Sequence, residues 1–360
     1  MTAPPDLDEF TGRTVLVTGG GGFLGRTVVR RLRDVFPGRV VSVQRRPEQA
    51  PGGLHLGTAT HADVVADLRD DEWHDILVEA DYVLWLAALR DHGASREIAE
   101  RENLVPLRRA VDVMRTGRLR RFVFASTISA VDQGTTGPPR PLTDDTMPQP
   151  TTGYGAAKLA CERLLAASGV PHTVLRLPFL YGPGFRADSF LAFYRRVAST
   201  PVLGVLPFTA DLSLLHTGDV ADLTLHVLAE HNREQADDGP YLVADGPPHE
   251  VADLVGLVAR LCGRTVRPLP PSVGRAASRV ALASRAIPLP AAVATAPLPL
   301  ALRYWSHAAF TRGFFTVDAR RFHAAFPGCR FVDVTTGMAA AFAGAAGRRY
   351  ISGGSAAARP

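Results

Sequence analysis

The first half of the chain alternates short apolar runs with segments that carry apolar residues at helical spacing. Val15, Leu16 and Val17 follow one another without a polar break, which is typical of a strand buried on both faces of a parallel sheet. Strands that alternate with helices predict an α/β fold. Five such runs, at 14–17, 39–44, 63–67, 81–86 and 121–125, each end where small, polar or charged residues begin.

The first run ends in a turn of glycines that leads directly into a helical pattern. The turn reads Thr-Gly-Gly-Gly-Gly-Phe-Leu-Gly, and Gly19 and Gly22 leave the backbone accessible to a pyrophosphate at the helix N-terminus. Gly25 lets the helix pack closely against the sheet. A glycine cluster alone is also typical of a flexible turn. The strand before it and the helix after it, with Phe23 and Leu24 in the first turn, favour a dinucleotide site.

The second strand ends in basic residues about 20 residues beyond the last glycine of the turn, where the adenosine ribose is expected. Gln44, Arg45 and Arg46 stand where an NAD site usually places an acid. A guanidinium pairs with a 2′-phosphate, which a carboxylate would repel. Arg45 therefore favours NADP(H) over NAD(H), although arginines are also common at a solvated strand end.

The next two strand ends complete the predicted cofactor site. Asp67, followed by Leu68, is placed to meet the adenine amino group or to cap the next helix, and the two roles are compatible. Ala87 and Ala88 end the fourth strand, and their small side chains leave room for the diphosphate and ribose.

Tyr154 and Lys158 stand four residues apart in a predicted helix, so they share one helical face. A nearby ammonium stabilises a tyrosinate and is expected to move the phenol from its ordinary pKa of about 10 toward working pH. Thr127, at the end of the fifth strand, would hydrogen-bond the same substrate oxygen. Such a pair alone is usually a surface pair, but its place after the strand hydroxyls favours acid/base chemistry.

Composition, charge and cysteine spacing argue against several classes of function. The formal charge of +5 comes from arginines spread along 360 residues, without a basic block beside aromatic residues, so nucleic-acid binding is not expected. Cys161, Cys262 and Cys329 show neither disulfide nor metal-ligand spacing, which predicts no metal site and a reducing compartment. The first dozen residues do not resemble a signal peptide, and no apolar run is long enough to span a bilayer. A cytoplasmic location is expected.

Motifs along the chain resemble those of the extended short-chain dehydrogenase/reductases, within the NAD-dependent epimerase/dehydratase group. The resemblance covers about residues 12–265 and implies a Rossmann-type doubly wound parallel sheet of about seven strands. The motifs, in the family's order, are Thr18–Gly25, Asp67–Leu68, Ala87–Ala88, Asn103, Phe122–Thr127, Tyr154–Lys158, Arg176–Gly184, His216–Ala221 and Tyr241–Gly246.

The resemblance also implies roles for individual residues. Thr127 stands at the catalytic Ser/Thr, Tyr154 at the acid/base, and Lys158 at the lysine that holds the cofactor ribose. Pro178 stands where the backbone meets the nicotinamide carboxamide. A homodimer through the Tyr-Lys helix is expected from the resemblance alone.

Departures from the family's motifs indicate which branch of the family the chain resembles. Ile128 and Ser129 replace the acids of the dehydratases, so dehydration is not expected. Leu212 stands where nucleotide-sugar epimerases carry an arginine, although Arg186, Arg195 or Arg196 would substitute for it. Together with the Arg45 segment, this favours NADP(H)-dependent interconversion of a ketone and a secondary alcohol on an apolar molecule, as in the 3β-hydroxysteroid-dehydrogenase and dihydroflavonol-reductase-like branch. The alternatives are a nucleotide-sugar epimerase with tightly bound NAD and a non-catalytic cofactor sensor.

The chain is expected to divide into a cofactor domain and a mixed region. The connection from Gly134 to Thr152 is too polar to belong to the core, and its length predicts that it forms one wall of the substrate site. The segment 272–305, apolar with spaced arginines, suits a lid, a packed cap or a stretch lying on a membrane surface. The expected divisions are a flexible start at 1–11, a Rossmann domain at 12–175, a region at 176–343 that completes the sheet and binds the substrate, and a disordered tail at 344–360.

Overall fold

The computed structural model describes residues 7–46, 60–91, 93–131, 141–185, 211–232, 239–264 and 316–343. The predicted segment 272–305, the predicted tail 344–360, most of the predicted flexible start, and the three arginines at 186, 195 and 196 lie outside these residues.

A seven-stranded parallel sheet forms the centre of the described structure. Its strand order is β3-β2-β1-β4-β5-β6-β10, so the order reverses between β1 and β4. This confirms the predicted doubly wound sheet. The strands are β1 (Thr14–Thr18), β2 (Arg39–Gln44), β3 (His61–Val65), β4 (Tyr82–Trp85), β5 (Arg121–Thr127), β6 (His172–Leu177), β7 (Phe179–Tyr181), β8 (Asp211–Leu212), β9 (Leu214–His216), β10 (Tyr241–Leu242) and β11 (His249–Glu250), of which β7 pairs with β9 and β8 with β11.

Helices cover both faces of the sheet. They are α1 (Phe23–Val35), α2 (His74–Val78), α3 (Arg96–Met114), α4 (Gly153–Ala166), α5 (Thr217–Asn232), α6 (Val251–Leu261), α7 (Arg320–Ala325) and α8 (Val334–Ala343). The helix predicted from Asn103 begins two turns earlier, because the Ser95 side chain accepts a hydrogen bond from the Ile98 N–H at 3.3 Å and caps it there. Its first turns are polar, so the apolar spacing did not reveal them.

The core consists of layers on the two faces of the sheet. Val15 and Val17 pack with α1 and α5 on one face, whereas Leu16 packs with α2, α3 and α4 on the other. All five residues of β1 are buried. The unbroken apolar run of β1 is therefore explained by burial on both sides.

The described C-terminal segment, residues 316–343, packs against the last strand of the sheet. Phe322 of α7 and Phe326, which directly follows α7, make edge-to-face ring contacts with Tyr241 of β10. Leu142 is only 4% exposed, and its backbone N–H donates to the Thr316 carbonyl at 2.7 Å. The connection before the Tyr-Lys helix was expected to stay out of the core, and at Leu142 this was wrong, because a strand-like contact with the distant C-terminal segment buries that side chain.

Candidate active site

The glycine turn lies between the carboxyl ends of β1 and β2. The Gly19 N–H donates to the Val43 carbonyl at 2.8 Å, and the Gly22 N–H donates back to the Gly19 carbonyl at 2.9 Å. Gly19 has a φ of +73°, which an L side chain rarely adopts. These bonds fix the turn so that α1 begins at the edge where the strand order reverses.

Close backbone contacts explain two of the glycines. A Cβ on Gly19 would lie 2.8 Å from the backbone of Ala87, and a Cβ on Gly25 would collide with the Gly19 carbonyl oxygen. Gly22, the N-cap residue of α1, is exposed and has no side chain to cap the helix. The first turn of α1 also carries no acid. An anion such as a pyrophosphate therefore fits this N-terminus.

A buried donor lies where the adenosine ribose was predicted. Gln44 is 4% exposed, and its Oε1 accepts from the Ser42 hydroxyl at 2.7 Å. The Gln44 Nε2 has no hydrogen-bond partner within the described part of the chain. Arg45, the next residue, is exposed. The strand end thus offers an unused amide donor and a guanidinium, and both suit the ribose end of a dinucleotide.

Asp67 is held by an arginine that sequence reasoning missed. The Arg69 Nε and Nη2 atoms donate to the two carboxylate oxygens at 2.9 and 2.7 Å, and the Arg69 backbone N–H donates at 2.9 Å. The hydrogen bonds from Arg69 lower the pKa of Asp67 to about 2, although burial acts in the other direction. The signal available in the sequence was an arginine two positions after the acid, which is close enough to pair with it.

Thr127 and Tyr154 meet at the end of β5. Tyr154 is 7% exposed, and a hydrogen bond joins its side chain to that of Thr127. Burial raises the pKa of Tyr154 to about 12. The prediction that Lys158 would lower it was therefore wrong for this structure. Desolvation disfavours the phenolate, and the lysine ammonium is engaged elsewhere.

Lys158 is buried beside the same strand. It is 2% exposed, its Nζ donates to the Ala125 carbonyl at 2.7 Å, and Nζ lies 4.3 Å from the centre of the Phe124 ring. Burial lowers the pKa of Lys158 to about 8. Tyr154 and Lys158 thus face β5 together, one turn apart on α4, as their spacing predicted.

The remaining predicted residues lie along the same edge of the sheet. Pro178 is buried and directly follows Leu177, which pairs with Thr127 in the β5–β6 register. Ala87 and Ala88 follow β4, and the Ala87 N–H donates to the Thr18 hydroxyl at 3.3 Å. Phe23 and Leu24 form the first turn of α1, and Leu68 packs partly buried against the core.

A cavity of about 840 Å³ opens elsewhere, between the segment 141–147, the turn 246–248 and the segment 317–323. Thr127, Tyr154 and Lys158 are not among its lining residues. This cavity therefore does not include the contact between β5 and the Tyr-Lys helix. Within the described ranges, no three His, Cys, Asp or Glu residues are grouped to hold a metal ion, and no helix is long and apolar enough to cross a membrane.

Comparison with known families decides the class of this fold. The model of the NAD dependent epimerase/dehydratase family matches residues 15–244, well over half of the chain. The chain belongs to this family. Membership identifies it as a nicotinamide-dependent enzyme of the extended short-chain dehydrogenase/reductase type, which confirms the predicted family and enzyme class. The steroid-dehydrogenase-like branch stays a prediction.

Relatives within the family include epimerases and reductases. The dTDP-L-rhamnose 4-epimerase of Burkholderia thailandensis is 26% identical over 303 residues, covering 69% of this chain and 81% of that protein. The ceramide reductase of Caulobacter vibrioides is 28% identical over 208 residues, covering 58% of each protein. The structure of MoeE5 in complex with UDP-glucose and NAD is 25% identical, with a TM-score of 0.61 and coverage of 91% of this chain and 97% of that one.

Gly19→Ala is expected to weaken binding of a nicotinamide cofactor by about tenfold or more, because the added Cβ meets the Ala87 backbone and displaces the turn from the α1 N-terminus. Gly169→Ala is the matched control. Gly169 also has a positive φ, of +72°, but no atom lies within 4 Å of its added Cβ. Calorimetric titration of both variants measures the difference, and unchanged affinity in Gly19→Ala would contradict the role of the turn.

Proposed function

We propose that this enzyme transfers hydride between a nicotinamide cofactor and a secondary carbinol or carbonyl carbon, with Tyr154 as the acid/base residue. The observation that carries the proposal is the meeting of Thr127, Tyr154 and Lys158 at the carboxyl end of β5. A non-catalytic sensor of the same fold has less support, because it would not need all three side chains in contact with one strand end.

We propose that residues along this strand edge hold the cofactor. The turn from Gly19 to Gly25 offers backbone N–H groups to the pyrophosphate. Asp67 suits the adenine amino group, Lys158 the nicotinamide ribose, and the backbone at Pro178 the carboxamide, as the family resemblance implies. We further propose that residues 12–175 bind the cofactor and that residues 176–343 contribute the substrate region.

The nicotinamide, when bound, exchanges a hydride with the reacting carbon. Tyr154 is protonated at neutral pH because its pKa is raised to about 12, so its hydroxyl is ready to give a proton to a carbonyl oxygen as that oxygen gains charge. In the opposite direction the substrate hydroxyl passes its proton to the phenolate, which this environment disfavours. Thr127 orients the same oxygen.

A nucleotide-sugar epimerase is the first candidate for the overall reaction. The similarity to a dTDP-L-rhamnose 4-epimerase over most of that protein's length supports it, as does the likeness to a structure that holds UDP-glucose and NAD. In this reaction the carbon is oxidised and then reduced on its other face, without net redox change. The comparisons support this alternative better than the apolar-substrate reductase favoured by the sequence.

A reductase acting on an apolar ketone is the second candidate, favoured by two apolar side chains. Leu212 is 4% exposed, where the epimerases are expected to carry an arginine for the pyrophosphate of the sugar nucleotide. Phe179, directly after Pro178, packs on an apolar cluster that includes Ile128 and Leu142. A leucine in place of that arginine leaves a pyrophosphate without a guanidinium partner, which favours an apolar substrate over a charged nucleotide.

Cofactor choice is a separate proposal. Arg45 is exposed at the end of β2, and the neighbouring Gln44 is a neutral donor rather than an acid. We propose a preference for NADP(H) over NAD(H), because a 2′-phosphate pairs with the guanidinium and the residue before it is a neutral amide rather than an acid.

Tyr154→Phe is expected to lower the rate of hydride transfer by about 10²- to 10⁴-fold, because the proton donor is lost. Cofactor binding is expected to stay within about twofold of wild type, since the ring still fills the same space. Tyr181→Phe is the matched control, because the Tyr181 hydroxyl is buried and has no hydrogen-bond partner among the described residues. The assay follows nicotinamide absorbance with a ketone panel, and isomer exchange with sugar nucleotides. Full activity in Tyr154→Phe would contradict the assignment.

Arg45→Ala is expected to raise the Kd for NADPH by about tenfold or more, because a charge-assisted hydrogen bond to the 2′-phosphate is lost. The Kd for NADH should stay within about twofold. Arg31→Ala serves as control, since Arg31 is a half-exposed arginine of α1 paired with Asp222. Calorimetric titration of both cofactors provides the measurement, and equal wild-type affinities for NADPH and NADH would contradict the preference.

A further inference from the structure

Three consecutive residues at the end of β5 each bond to a different turn of α4. The Ala125 carbonyl accepts from Lys158 Nζ at 2.7 Å, and the Thr127 side chain is hydrogen-bonded to Tyr154. Between them, the Ser126 hydroxyl donates to Glu162 Oε1 at 2.5 Å. Positions 154, 158 and 162 are four residues apart and share one helical face. Glu162 therefore continues the contact that the two predicted site residues begin.

Glu162 is also paired with an arginine on the next strand. Arg176 Nη2 donates to Glu162 Oε2 at 2.7 Å, and Arg176 Nε lies 3.2 Å from Oε1. The exposed fractions of the two side chains are 6% for the arginine and 7% for the glutamate. Arg176 pairs in register with Ser126 across β5 and β6. The three side chains thus link two strands and α4 through bonds that are shielded from water.

We propose that Glu162 and Arg176 are positioning residues, which hold α4 in register with the end of β5 and keep a carboxylate one turn from Lys158. The proposal rests on the function proposed above, in which Lys158 holds the nicotinamide ribose. A buried ion pair stabilises a fold little compared with apolar packing of similar volume. Because this ion pair lies beside the site residues, we assign it a second role. The negative charge of Glu162 favours the protonated form of Lys158.

The charged and titratable groups around Lys158 decide whether loss of the Glu162 charge raises or lowers the pKa of Lys158. On α4, Glu162 and Cys161 face it; burial raises the pKa of the Cys161 thiol to about 12, which keeps the thiol neutral. Tyr154 is likewise protonated, and β5 contributes the Ala125 carbonyl and an aromatic ring rather than a charge.

Two more charges lie on neighbouring elements. Glu100 on α3 acts on the Cys161 thiol, and Arg176 on β6 is bound to Glu162. Among the described residues, Glu162 is the carboxylate whose charge raises the pKa of Lys158 against the effect of burial. Removing that charge should lower the pH at which Lys158 loses its proton.

The test is the affinity for NADPH and NADH, measured by fluorescence titration from about pH 6.5 to about pH 9.5, a range that spans the Lys158 titration. Glu162→Gln keeps the shape of the side chain and removes its charge. The pH midpoint for loss of affinity is expected to move down by about one unit, with about a three- to tenfold loss near pH 8 and little change near pH 6.5. Glu162→Asp, which retains the charge, should keep the wild-type midpoint.

Controls separate this effect from destabilisation. Asp222→Asn removes a carboxylate from the half-exposed pair with Arg31 and should leave the midpoint unchanged. If Glu162→Gln does not fold because Arg176 is left unpaired, the double variant Glu162→Gln/Arg176→Met removes both charges and is expected to show a smaller downward shift, because the carboxylate lies one turn from Lys158 and the lost guanidinium charge offsets part of its effect.

An unchanged midpoint in Glu162→Gln, or in the double variant where only that folds, would overturn the inference and leave the proposed function intact. Wild-type protein that binds neither cofactor would overturn the proposed function and this inference together.

Discussion

The contact between the end of β5 and one face of α4 is the constraint on which the candidate site depends. Lys158 is buried, and its ammonium is stabilised by the Ala125 carbonyl at 2.7 Å and an aromatic ring. Tyr154, one turn earlier, reaches Thr127 on the same strand. Because a sheet and a helix fix both partners, Tyr154 and Lys158 have little freedom to move. Burial, which holds the site together, also keeps the phenol protonated.

The cofactor edge arises from the order of the strands. The strand order reverses between the parallel strands β1 and β4, and the carboxyl ends of these strands leave a crevice where ligands of open α/β sheets bind. Gly19 lies there against the backbone of Ala87, so the glycine turn and the fourth strand form one surface. The same edge carries Thr127 and Pro178 further along. A dinucleotide laid across it would extend from the Arg45 end to the buried tyrosine.

Local patterns predicted much of this arrangement, and contacts between distant segments account for what they missed. The apolar run of β1, the glycine spacing and the four-residue step to Lys158 are short-range features, and the parallel sheet and family follow from them. Glu162 was not singled out, because its partners at 126 and 176 come from other elements. The pKa of Tyr154 was predicted in the wrong direction because it depends on burial, which is a tertiary property. Substrate choice depends on side chains brought together from several connections.

The most direct test of the account is a crystal structure of the protein with its preferred nicotinamide cofactor. The account predicts the pyrophosphate at the N-terminus of α1, Lys158 Nζ within hydrogen-bond distance of the nicotinamide ribose, and the Tyr154 hydroxyl on the side of the nicotinamide ring that is open to the substrate. A cofactor bound away from the glycine turn, or a nicotinamide ring out of reach of both Tyr154 and Lys158, would contradict the central claim.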